Sequence, residues 1–243
     1  MMRKDVKLQR KYYTDTAEKY DEMHGGEDSA HDTALKYIST FMDHLKVTTV
    51  LDVGCGTGRG VQYFLDKYPD LKVIGVEPVQ ALINQGIKKG ISSELLICAE
   101  GECLPFDDGS FDVVCSFGVL HHVAQPEKVV REMVRVARRA IFISDGNRFG
   151  QGQLWTRWIR LLLYKFGLWG FANYIKTKGR GYMSSEGDGI AYSYSVFDQY
   201  DILANWSDIF IFIPTLITDK KSWLHPLLTS SHVLLCCIKE ANK

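Results

Sequence analysis

The chain has 243 residues, and its 29 Lys plus Arg are balanced by 29 Asp plus Glu, for a formal net charge of zero. With 46% hydrophobic and 24% charged residues the composition is that of a folded globular protein, which excludes a disordered chain. The charge balance argues against a surface built to grip nucleic acid.

The N-terminal residues are basic without a following apolar run, so no signal peptide is expected. Two helical patterns follow, Val6 to Met23 and Ser29 to Leu45, broken at His24-Gly25-Gly26. From Val47 onward short β-rich runs alternate with helical ones. Strands are predicted at Thr48 to Val53, Lys72 to Val76, Leu95 to Ala99, Phe111 to Phe117 and Ala140 to Ser144. Helices are predicted near Gly58 to Lys67, Val79 to Lys89 and Pro126 to Val136. This βαβα rhythm implies a parallel sheet with helices on both faces.

After Asp145 the rhythm stops. Gly146 to Ser185 holds nine aromatic and seven basic residues and no acidic one, so the rest of the neutral chain is net acidic. Trp155, Trp158, Ile159, Leu162 and Phe166 share one helical face, while Gln153, Arg157, Arg160 and Tyr164 share another. Two readings stay open. The segment is a lid whose aromatics pack on the core, or its 153–171 stretch lies on a membrane surface. Basic residues interrupt this apolar stretch, so it does not read as a membrane span. A helix near Val196 to Trp206 then leads to strands at Ile209 to Ile213 and His232 to Lys239, expected to be antiparallel neighbours because Pro214 and Pro226 leave no room for a crossover helix. The expected organisation is an N-terminal helical cap (1–45), a cofactor-binding core (46–145), a lid insertion (146–195) and a C-terminal completion of the sheet (196–243). Cys55, Cys98, Cys103, Cys115, Cys236 and Cys237 include no C-x-x-C pair and are read as reduced, buried side chains of a cytoplasmic protein. The sequence offers no metal cluster, and oligomeric state is not readable from it.

The strand ending at Val53 runs into Gly54-Cys55-Gly56-Thr57-Gly58, a turn that lets a ligand lie on bare backbone at a helix N-terminus. A dinucleotide fingerprint needs its third glycine where Arg59 stands. Asp52 would repel a pyrophosphate at this loop and favour a ligand carrying ammonium and sulfonium groups, such as S-adenosylmethionine, although capping of the turn is a compatible role. Glu77 ends the next strand, where an acid is placed to accept both hydroxyls of a ribose.

Four stretches, Val50 to Arg59 (VLDVGCGTGR), Ile74 to Pro78 (IGVEP), Ala99 to Val114 (AEGECLPFDDGSFDVV) and Leu120 to Val123 (LHHV), resemble the class I S-adenosylmethionine-dependent methyltransferases of the type 11 branch in order and spacing. The resemblance covers roughly residues 45 to 145 and implies a Rossmann-like, mostly parallel seven-stranded sheet with an antiparallel C-terminal strand. It implies that Asp52, Gly54, Cys55 and Gly56 hold the methionine half of the cofactor and that Glu77 and Pro78 meet the ribose. Glu100 stands where the family usually has Asp on the adenine amine, Gly101 would offer its N–H to the ring, and Glu102 and Phe117 complete the pocket. Val79 is a candidate apolar wall, and Tyr20 belongs to a leading helix that can close over the site. His122 is a candidate general base or substrate orienter, with turn capping as the alternative. Arg157, Trp158 and Tyr182 are candidates for the acceptor site. The expected activity is methyl transfer to oxygen, nitrogen or carbon of a small molecule, with anionic and lipid-linked acceptors among the candidates. A nicotinamide-dependent oxidoreductase and a non-catalytic cofactor-binding scaffold are the alternatives.

Overall fold

The structure is a computed structural model and describes residues 3–24, 30–217 and 223–240. The predicted break at Gly25-Gly26 and the helix start at Ser29 lie outside the described residues. Strands β1 (Thr49–Val53), β2 (Lys72–Val76), β3 (Leu96–Ile97), β4 (Phe111–Phe117), β5 (Ala137–Gly146), β8 (Ile209–Ile217) and β9 (Ser230–Ile238) form one seven-stranded sheet in the order β3-β2-β1-β4-β5-β9-β8. Pairing is parallel from β3 to β5, and β9 runs antiparallel to both β5 and β8. Strands β6 (Tyr182–Ser185) and β7 (Gly189–Tyr192) make a separate hairpin.

Period-two alternation sorts the core into two layers. Val50, Val113, Phe142, Leu234 and Cys236 face α3 (Ala30–Leu45) and α4 (Arg59–Lys67). Their neighbours Leu51, Val114, Ile141, Leu235 and Cys237 face α6 (Pro126–Val136) and α9 (Tyr200–Ala204). The chain reverses its strand order at β1 between β2 and β4, so the carboxyl ends of these strands open a crevice at a topological switch point. Helix α5 (Gln80–Lys88) flanks it.

Several expectations need revision. The first predicted helix is divided into α1 (Lys4–Thr16), a 3₁₀ turn at Ala17–Lys19 and α2 (Tyr20–His24), which turns Tyr20 toward the glycine loop. The helix expected over Val196 to Trp206 is a 3₁₀ turn, Val196–Gln199, capped reciprocally by Ser195 and Asp198, followed by the short α9. Cys98 and Cys103 are exposed, in contrast to the four buried cysteines. No helix among the described residues is long and apolar enough to cross a membrane.

The largest correction concerns 146–195. Its first half forms α7 (Leu154–Lys165) and α8 (Trp169–Lys176), but the aromatic stripe does not pack on the core: Trp155 is 62% exposed, Phe166 70% and Phe171 69%. The other face turns inward. Arg157 is buried, and its guanidinium donates to the carbonyls of Gly152 and Leu228, both at 2.8 Å. Arg148, also buried, lies over the rings of Phe149, Tyr164 and Trp169 at 5.0, 5.2 and 5.7 Å and pairs with Asp198. Arg157 thereby ties α7 to the segment before β9, and Arg148 holds Tyr164 of α7 and Trp169 of α8 by cation–π contact while pairing with Asp198.

Candidate functional site

At the carboxyl end of β1 the chain enters the glycine turn with positive φ at Gly54 (76°), Gly56 (57°) and Gly58 (83°), a region that favours glycine. A Cβ on Gly54 would stand 2.4 Å from a methyl of Val119, so the loop backbone is bare by necessity. Glu77, buried at the end of β2, binds this loop from below. Its Oε2 accepts the Gly56 N–H at 3.1 Å, and its Oε1 accepts the Val79 N–H at 3.0 Å.

Asp52 is 1% exposed. Burial pushes its carboxyl up to about 7, against the opposing pull of Arg59, and Glu77 adds to the rise. Burial likewise raises Glu77 to about 7, although the Val79 and Gly56 amides act against it. Two adjacent strands thus deliver two poorly compensated buried acids to one crevice. A cationic ligand would relieve the penalty.

The crevice is a cleft of about 930 Å³ lined by Tyr20, Gly54, Glu77, Pro78, Glu100, Gly101, Glu102, Phe117 and His122, with apolar walls from Val53, Val79, Leu82 and Val129. A smaller adjoining cavity is bounded by Tyr20, Asp52, Gly54, Cys55, Arg59 and Phe117. Gly56 faces the Tyr20 ring. Of the residues singled out for the cofactor, Asp52 and Cys55 line the smaller cavity, Gly56 lines neither, and the others line the cleft, with Tyr20, Gly54 and Phe117 common to both. Sequence reasoning missed Arg10, whose guanidinium reaches from α1 to pair with Glu100 at the rim. It also missed Asp21, which accepts from Thr57 Oγ1 at 2.5 Å and from Lys89 Nζ at 2.8 Å and ties α2 to the glycine turn.

A second cavity, about 1000 Å³, opens beside the first and is lined by His121, Arg148, Arg160, Lys176, Tyr182, Asp188 and His232 among others. Of the acceptor-site candidates it receives only Tyr182. Arg157 is directed into backbone carbonyls and Trp158, 41% exposed, stands on the outer face of α7; neither lines this cavity. His122 lines the first cleft, but its Nδ1 lies 2.5 Å from the Ile190 carbonyl and its Nε2 3.2 Å from Asp188. Both nitrogens face oxygens of the hairpin, a geometry that suits positioning. Its neighbour His121 is buried, which opposes its charge, yet Asp145 and Asp188 raise its imidazole to about 10.

The fold and crevice define a class: an open, mostly parallel α/β sheet with a crevice at the switch point. Residues 51–142 match the family model described as "Methyltransferase domain". The match to ajmaline N-methyltransferase of Rauvolfia serpentina is 38% identical over 96 residues, 38% of this chain and 33% of that protein. The chain spans about a third of the length of the curated relatives it matches. Among solved structures, a possible histamine N-methyltransferase from Thermotoga maritima superposes with a TM-score of 0.58 at 16% identity, covering 96% of this chain and 100% of that one. Magnesium protoporphyrin IX methyltransferase from Synechocystis gives 0.59 at 13% identity, with 98% and 99% covered. Residues 51–142 are thus similar to a methyltransferase domain, and the whole chain shares the fold of these solved methyltransferases.

Proposed function

We propose that the protein transfers a methyl group from S-adenosylmethionine to a small-molecule acceptor. The observation that carries this reading is the pair Asp52 and Glu77, two buried acids on either side of a bare glycine turn, a set that fits a ligand combining cationic groups with a ribose diol. A pyrophosphate on the glycine turn would meet the Asp52 charge, which disfavours a nicotinamide cofactor. Gly54 and Gly56 leave room for the ligand to lie on the loop, and Val53, Val79, Leu82 and Val129 offer an apolar slot for an adenine ring.

The bound cofactor supplies a methyl group already activated on sulfonium. The protein's part is alignment: near-attack placement, with reacting atoms about 3 Å apart, can remove much of a displacement barrier. Tyr20 and Tyr13, in edge contact at 5.8 Å, cover the cleft from the N-terminal side and exclude water. Arg148, Arg160 and Lys176 give the second cavity a basic lining, which supports an anionic acceptor there. Transfer is tested by incubating the protein with methyl-labelled S-adenosylmethionine and a panel of anionic and neutral small molecules. Label in an acceptor supports the reading; cofactor binding without any transfer across the panel favours the scaffold alternative.

A second reading concerns where the acceptor resides. The exposed apolar face of α7 and α8, carrying Trp155, Trp158, Ile159, Phe166 and Phe171 and flanked by exposed Lys165, Lys176 and Lys178, supports docking on an anionic lipid surface and a lipid-linked acceptor.

A further inference from the structure

Three histidines from two elements, His24 at the end of α2 and the neighbours His121 and His122 after β4, converge on one carboxylate. Asp188, in the turn between β6 and β7, has Oδ1 3.2 Å from His122 Nε2 and 3.6 Å from His24 Nε2, and its Oδ2 is 3.5 Å from His121 Nε2. The other nitrogen of each ring meets an oxygen: Nδ1 of His121 lies 2.7 Å from the Asp145 carboxylate, that of His24 3.0 Å from the Tyr20 carbonyl, and that of His122 2.5 Å from the Ile190 carbonyl. A carbonyl oxygen or carboxylate only accepts, so in the neutral rings each Nδ1 holds the hydrogen and each Nε2 presents a lone pair.

These ring nitrogens and the Asp188 carboxylate need a positive charge between them, either protons on the rings or a shared metal ion, and the buried His24 Nε2 beside them has no hydrogen-bond partner. Nδ1–H groups donating to oxygen, one of them a carboxylate, are the outer support that metal-binding histidines receive. One ligand atom from each of His121, His122 and Asp188 lies within 4.8 Å of the others. Bonds of about 2.0–2.1 Å at tetrahedral angles set neighbouring ligand atoms roughly 3.3 Å apart, and Asp188 oxygens lie 3.2 Å from His122 Nε2 and 3.5 Å from His121 Nε2.

We propose that His121, His122 and Asp188 bind a divalent transition-metal ion through two imidazole nitrogens and one carboxylate oxygen. A three-ligand set of this composition suits Zn²⁺ with its fourth position open to water. Its place gives it a task. His121 and His122 follow β4 and Asp188 comes from the hairpin, so the ion joins the hairpin to the carboxyl edge of the sheet, with His24 at the end of α2 beside it. His122 lines the cofactor cleft while His121 and Asp188 line the second cavity, which puts the ion in the wall between them.

The test reads metal, without cofactor or turnover. Chelator-treated full-length protein is titrated with Zn²⁺ and with Co²⁺, followed by metal analysis after dialysis, visible absorption and thermal melting. The expected result is one Zn²⁺ per chain, tetrahedral Co²⁺ bands and a raised melting temperature on loading. Asp188→Asn and His121→Ala should each weaken Zn²⁺ by about tenfold or more, and Asp145→Asn, which removes only the support of His121, by about 10- to 100-fold. His44→Ala, on the exposed side of α3, should bind as the parent does. Wild-type protein that is folded by circular dichroism but retains no Zn²⁺ and gives no Co²⁺ bands overturns the proposal, as does unchanged binding in the Asp188 and His121 variants; the cluster is then a clasp held by protons.

Discussion

The Glu77 carboxylate and the Gly56 amide are joined by a 3.1 Å hydrogen bond, which ties the end of β2 to the glycine turn that follows β1. One side chain thereby shapes the loop and presents an acid to whatever lies on it. Glu77→Ala should leave the Gly56 and Val79 amides unpaired and remove a ribose acceptor. A loss of about 1–3 kcal/mol is expected for such a group, or roughly 5- to 150-fold in affinity for S-adenosylmethionine and S-adenosylhomocysteine. Glu77→Gln, which keeps the shape without the charge, should lose less; calorimetry on both variants checks the order.

Burial raises Asp52 and Glu77 from ordinary carboxyl values of 3.8 and 4.5 to about 7. A folded-state value above the unfolded one contributes stability that is present below the unfolded value and is lost as pH rises through the folded value. The ligand-free protein should therefore lose stability from about pH 4 to pH 7 through these two groups. A cationic ligand favours their ionised forms, so its binding should release protons and tighten as pH rises from about 6 to 8. Calorimetry in buffers of different ionisation enthalpy detects the protons. A flat affinity with no proton release would contradict this assignment.

Arg157→Ala separates a structural from a substrate role. Its guanidinium satisfies the Leu228 and Gly152 carbonyls, so truncation should cost about 1–3 kcal/mol of stability by thermal or denaturant unfolding. Once an acceptor is in hand, its KM should be unchanged in this variant, whereas removal of the cavity-lining Lys176 should raise the KM for an anionic acceptor.

The outer face of α7 and α8 makes a separate prediction. Because Trp155 and Phe166 are 62% and 70% exposed, replacing both with Ser should leave the melting temperature nearly unchanged. The same double variant should lose co-sedimentation with vesicles containing anionic phospholipid. Equal sedimentation of parent and variant, or none above a vesicle-free control, removes the membrane reading.

The β1 loop and the acids beside it were legible in the sequence because the turn needs positive φ at Gly54 and Gly56 and because strand alternation places Asp52 and Glu77 by register. The segment 146–195 was only half legible. Helical periodicity groups Trp155 with Phe166 and Arg157 with Arg160, but it does not say which face meets the core; the Gly152 carbonyl and that of Leu228, distant in sequence, drew the arginine inward. The β6–β7 hairpin went unseen because its strands are four residues each, and Gly187 and Gly189 interrupt any alternation. The histidine cluster was out of reach for a different reason. Its members lie on α2, after β4 and in the hairpin turn, and only the fold brings them together.

The central claim is that Asp52, Glu77 and the bare glycine turn hold an adenosyl sulfonium cofactor. Isothermal titration of the wild-type protein with S-adenosylmethionine, S-adenosylhomocysteine and NAD at one pH tests it directly. Both adenosyl ligands should bind in one-to-one stoichiometry and NAD should give no saturable heat. Saturable NAD binding with no response to either adenosyl compound would contradict the account.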